Sequence, residues 1–112
     1  MNTNLFKEIN ASIMFCDVNW KIIEMNDKAA ELFAEDGGYG LAGKSLFDCH
    51  SEQSKKIIKE LINEKKTNVY TIEKNGNKKL IYQTPWYENG EVKGLVEISM
   101  DIPLNMPHHV RS

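Results

Sequence analysis

Apolar and polar positions divide this chain into short strand-like runs and two amphipathic stretches. Ser12–Cys16 and Lys21–Met25 are rich in β-branched and aromatic residues, and the turn-like Asp17-Val18-Asn19-Trp20 joins them, which predicts a hairpin. Asn26-Asp27-Lys28-Ala29-Ala30-Glu31-Leu32-Phe33 follows at once. Asn26 or Asp27 can accept from the free N–H groups of a helix start, and Ala29, Ala30, Leu32 and Phe33 supply helix formers and an apolar stripe. A helix is therefore expected over Asp27–Ala34. Glu35–Gly43 holds Gly37, Gly38, Gly40 and Gly43 and reads as a loop. Lys44–His50 reads as a helical turn that packs Leu46 and Phe47 inward.

Ser51–Lys65 is the clearest helix. Ser51 is a good N-cap, Glu52 suits the positive end of the dipole, and Ile57, Ile58, Leu61 and Ile62 form one stripe. Three strands follow. Asn68–Lys74 alternates, with Val69, Thr71 and Glu73 on one face and Tyr70 and Ile72 on the other. Asn75-Gly76-Asn77 is a hairpin turn. Lys78–Tyr87 is interrupted late by Pro85, which suggests an edge or a bulge. After the turn Glu88-Asn89-Gly90-Glu91, the last strand Val92–Ile102 carries Val92, Gly94, Val96, Ile98 and Met100 on one face. This order predicts an α+β fold, a five-stranded antiparallel sheet with helices packed on one face. The other face is left for solvent, the N-terminal arm or a partner. Residues 1–10 read as an arm or short helix, with Leu5, Phe6 and Ile9 on one side. Residues 11–102 read as the domain and 103–112 as a tail.

The length of 112 residues suits one domain with a single modest core. A net charge of −2, with Lys and Glu interspersed, argues against a nucleic-acid binder, which would show a basic face. Met1–Asn10 lacks the apolar run of a signal peptide, and no segment approaches the ~20 apolar residues of a membrane span. With Cys16 and Cys49 its only cysteines, the chain reads as reduced and cytoplasmic.

Four segments resemble the PAS domain family in order. They are Ile22-Ile23-Glu24-Met25-Asn26 running into Ala29-Ala30-Glu31-Leu32-Phe33, then Leu41-Ala42-Gly43-Lys44-Ser45-Leu46-Phe47-Asp48, then Asn89-Gly90-Glu91-Val92-Lys93-Gly94-Leu95-Val96, and finally Asp101-Ile102. The last is similar to a common Asp-Ile-Thr ending, with Pro103 in place of Thr. Asp48-Cys49-His50 is similar to a bacterial PAS subgroup with Cys-His-Pro before the long helix; Ser51 stands where that Pro would be. The resemblance implies a sensory or regulatory module with a pocket between the sheet and Leu41–Ile62. Phe47, Cys49, His50, Ile58, Leu61 and Tyr82 are the residues expected to line it.

Cys49-His50 is the one local pair of soft ligands. A helix N-terminus favours thiolate, and thiolate or imidazole can ligate haem iron, a cofactor that some PAS domains carry. Otherwise Cys49 is a small buried side chain and His50 helps to cap the helix. Cys16, in the first strand, reads as buried, and with no Cys-x-x-Cys and no second metal-type cluster a structural zinc site is not expected. His108-His109 diverge on an extended tail and chelate poorly. Gly38-x-x-x-x-Gly43-Lys44-Ser45 matches the phosphate-loop pattern. A helix precedes it, however, where that motif needs a strand before it and a helix directly after it. No Gly-x-Ser-x-Gly elbow or paired-carboxylate segment appears, so no enzymatic activity is expected. The expectation is a cytoplasmic sensor that binds a small molecule or haem, forms a homodimer, and passes its signal by contact with a signalling protein. The second reading is a ligand-free dimerisation or docking module. The chain is either complete, signalling through a contact, or one module of a longer protein.

Overall fold

A computed structural model describes residues 4–46 and 51–112. Helix α1 (Asn4–Lys7) precedes strands β1 (Ser12–Asp17) and β2 (Ile22–Met25). Helix α2 (Asp27–Leu32) and two 3₁₀ turns, Ala34–Asp36 and Gly38–Leu41, lead towards helix α3 (Glu52–Glu64). Strands β3 (Asn68–Lys74), β4 (Asn77–Glu88) and β5 (Glu91–Ile102) complete the fold. All pairings are antiparallel, in the spatial order β2-β1-β5-β4-β3. The expected five-stranded α+β fold is therefore present. The chain returns to the centre of the sheet with its last strand, so β5 is paired along both sides.

The hairpin, the capped α2 and the long α3 follow the reading of the sequence. In the first hairpin turn the Asp17 carboxylate accepts from the N–H groups of Asn19 and Lys21, at 2.8 and 3.0 Å. Asn26 is the N-cap of α2, and its amide side chain is almost wholly buried. Its Oδ1 accepts from Ala29 N at 3.1 Å and from Ile13 N at 3.0 Å. Its Nδ2 donates to the Ala11 and Phe6 carbonyls, at 2.8 and 3.1 Å. One side chain thus ties α1, β1 and α2 together with its buried polar atoms satisfied. Ser51 Oγ caps α3 by accepting from Ser54 N. Lys65 ends that helix in the left-handed region.

Two local expectations are corrected. The glycine-rich loop is wound into 3₁₀ turns over much of its length. Of the helical turn expected over Lys44–His50, Leu46 has 3₁₀ conformation and residues 47–50 lie outside the described residues. Segment 43–46 runs beside the start of β2, with Lys21 bridged to Ser45, Ile22 N bonded to the Lys44 carbonyl and Leu46 N to the Trp20 carbonyl. Backbone groups at that sheet edge are satisfied this way, and Leu46 is buried as expected. The α3 stripe is also narrower than its sequence suggests: Ile58 and Leu61 are buried, while Ile57 is 39% exposed.

The apolar core lies between α2, α3 and the β2-β1-β5 part of the sheet. It joins Met14, Cys16, Ile22, Leu95, Ile58 and Leu61, with Ala29 fully buried among them. Burial of the Cys16 thiol pushes its pKa up to about 11, so it is a neutral, unreactive thiol at pH 7.

Pro85 does sit near a bulge. It pairs with Leu95 past the end of β3, and the register shifts between Trp86 and Tyr87. Beyond that bulge, Gly94 has φ +157, and a Cβ there would lie 1.8 Å from the Cys16 carbonyl oxygen. The Trp86 indole N–H reaches the same carbonyl at 2.9 Å. Only glycine leaves room for this crossing.

Candidate functional site

The register assigns every strand residue to a face. Cys16, Leu95 and Pro85 lie in one row, and Leu95 and Cys16 belong to the core under the helices. By alternation, Asn68, Tyr70 and Ile72 of β3, Ile81 and Gln83 of β4, and Glu97 and Ser99 of β5 share that inner face. The apolar alternation of β5 marks the opposite face. Val96, Ile98 and Met100 point away from the helices, and so does Tyr82, which stands between Val69 and Ile98.

A cavity of about 440 Å³ opens between the inner face and the helices. Its floor is Asn68, Tyr70, Ile72, Ile81, Gln83 and Glu97. Phe33 after α2, with Ser54 and Ile57 of α3, forms the opposite wall. Across the floor runs a directed hydrogen-bond chain. Asn68 Nδ2 donates to Gln83 Oε1 at 3.0 Å, and Gln83 Nε2 donates to Glu97 Oε2 at 2.8 Å. Gln83 is buried and Glu97 half-buried. Burial first, and then the neighbouring Glu97 charge, raise the Tyr70 hydroxyl above its ordinary pKa. The site therefore combines apolar walls with an ordered polar floor. A smaller cavity of about 280 Å³ lies beside α2, between Lys28, Glu31, Lys79 and Asp101.

The residues expected from sequence divide into three groups. Ile58 and Leu61 are packed in the core, and their neighbour Ile57 faces the cavity instead. Tyr82 is corrected outright as a lining residue: one position of alternation from Gln83 puts it on the outer face. Phe47, Cys49 and His50 lie outside the described residues. Among the described residues, no thiol or imidazole lines the cavity and no cluster of three or more metal-ligating side chains occurs. The phosphate-loop match lacks its setting, because α2 and 3₁₀ turns, and not a strand, lead into it. Sequence reasoning missed Asn68, Gln83 and Glu97. Each is a polar residue that shares the alternate positions of its strand with apolar ones, which the sequence does not separate from a solvent face.

The sequence pattern that defines the PAS domain family matches residues 2–103. The chain belongs to the PAS domain family. No curated protein matches it in sequence. Solved structures carry the same fold. A sensory-box sensor histidine kinase from Vibrio cholerae superposes with a TM-score of 0.68 at 11% identity, covering 91% of this chain and 90% of that one. A PAS domain from Colwellia psychrerythraea gives 0.64 at 20% identity, over 88% and 92%. The Aer2 receptor of Vibrio cholerae, described as a dual PAS-haem oxygen sensor, gives 0.62 at 16% identity, over 83% and 95%. PAS domains are typically sensory and signalling modules. In this one, no helix among the described residues is long and apolar enough to cross a membrane.

Proposed function

We propose that this PAS domain is a cytoplasmic sensor that admits a small molecule with polar groups to the cavity beneath α3. Occupancy is passed on by protein contact, without chemical turnover. The Asn68–Gln83–Glu97 chain on the cavity floor carries this reading. Burying hydrogen-bonding groups is costly where apolar side chains would pack as well, and an aligned set facing a cavity gives a ligand its orientation. A two-dimensional NMR screen with a library of small fragments tests it. Binders should shift the side-chain amide signals of Asn68 and Gln83 and the backbone amide of Ile57. A library that leaves those signals unmoved removes the reading.

The outgoing contact is assigned to the outer face. There Val69, Tyr82, Ile98 and Ile13 form one apolar row, and α1 lays Phe6 against Phe15 with ring centroids 6.0 Å apart. A homodimer through this face is part of the proposal. Tyr82→Lys should shift sedimentation towards the monomer; a monomeric parent at high concentration would refute it. Haem is the second ligand reading, and it rests on Cys49 and His50 alone. Haem titration should then give a Soret band that moves in His50→Ala or Cys49→Ser and not in Cys16→Ser. If no haem binds and no fragment enters the cavity, the ligand-free docking module takes its place.

A further inference from the structure

We infer that the cavity selects a small cationic ligand, an aliphatic or benzylic ammonium, and that Glu97 is its anchoring acceptor. This rests on the reading of the cavity as a ligand site and names the class of molecule that fits it. Glu97 projects from the middle of β5 into the cavity. Its Oε2 accepts from Gln83 Nε2, a neutral donor. No cationic side chain among the described residues pairs with it. Lys79, two strand positions along the same face, is held by Asp101 at 3.3 Å. Lys55 at the α3 side is held by Glu52 at 3.1 Å.

A half-buried carboxylate with one neutral partner is under-compensated. A cation placed against it gains more than a neutral donor of the same shape, and an anion is repelled. The chain fixes the direction of selectivity further. Asn68 donates to Gln83 and Gln83 donates to Glu97, so both amides present their donor ends towards the carboxylate. The floor thus ends in an acceptor. Phe33, Ile57, Ile72 and Ile81 surround that end with apolar surface suited to the hydrocarbon part of an amine.

The probes are benzylamine, benzyl alcohol and benzoate at pH 7.5, followed by NMR titration of the Gln83 side-chain amide. These share a ring and differ in charge. Benzylammonium should bind at least tenfold more tightly than benzyl alcohol, and benzoate should not bind. Glu97→Gln should bring the amine and the alcohol to near parity, while Glu97→Asp keeps the preference for the amine. Circular dichroism checks that each variant is folded. Equal binding of alcohol and amine in the parent overturns the cationic class and leaves the cavity reading standing. A preference that survives Glu97→Gln does the same. If none of the three probes moves the Gln83 signal, the cationic class fails, and the fragment screen alone decides the cavity reading.

Discussion

The two faces of the sheet are built on opposite principles. The outer face, far from α2 and α3, is apolar across four strands, from Val69 through Tyr82 and Ile98 to Ile13. The inner face is uniformly apolar only in the core under α2 and α3, and over β3, β4 and β5 it sets Asn68, Gln83 and Glu97 among Tyr70, Ile72 and Ile81. Packing alone would favour the reverse arrangement, with polar groups outward and the helix-covered side uniformly apolar. The core holds the helices down, the polar groups of the inner face line a cavity, and the outer row is the face proposed for contact.

The largest effect should come where both faces depend on one position. Gly94→Ala drives a Cβ into the Cys16 carbonyl and displaces the Trp86 indole. A loss of about 3–5 kcal/mol is expected in urea unfolding. A midpoint close to the parent's would mean that β1 and β5 do not meet as described. Next, Leu61→Ala removes core contacts under α3 and should cost ~2–4 kcal/mol, whereas Ile57→Ala, at the cavity rim, should cost less than about 1 kcal/mol. Equal costs would erase the distinction between core and cavity. A third pair compares the faces at adjacent positions. Glu97→Leu should be neutral or stabilising by about 1 kcal/mol, because it deletes an under-compensated charge. Ile98→Glu should cost about 1–2 kcal/mol and weaken self-association.

The smallest effect concerns the surface clasp between α1 and α2. The Tyr39 hydroxyl donates to Asp27, and Lys7 pairs with the same carboxylate at 3.0 Å. The Tyr39 bond first, and then Lys7, lower the Asp27 pKa. Its contribution is therefore present above the ordinary carboxylate range and lost as pH falls through the lowered value. The thermal midpoint of Asp27→Asn should lie slightly below the parent's at pH 7 and converge with it in acid. A gap that persists at low pH would exclude the charge as its cause.

Much of the fold was legible because its signals are local. Asn26 before an Ala-rich run, Ser51 before an amphipathic one, and Asn75-Gly76 between alternating segments each dictate local geometry without tertiary help. The pairing of segment 43–46 with the start of β2 is not legible, because the partner lies more than twenty positions away. The cavity was largely illegible for a different reason. Alternation separates the two faces of a strand but does not say which face the helices will cover. In β5 the more apolar set, Val96, Ile98 and Met100, lies on the face away from α2 and α3. Tyr82 was assigned to the pocket and Gln83 passed over through that same ambiguity.

The glycine crossing at Gly94 also equips the protein with an optical probe. Trp86 is pinned by its indole hydrogen bond to Cys16 and by an edge-on contact with Phe15, at a centroid distance of 5.9 Å. The chain has one other tryptophan, Trp20, which packs against the core from the first hairpin turn. In Trp20→Phe a single tryptophan is left on the outer face, four residues along β4 from Tyr82. Its fluorescence wavelength and its quenching by iodide then become a direct gauge of whether that end of the face is bare or covered, without any label attached.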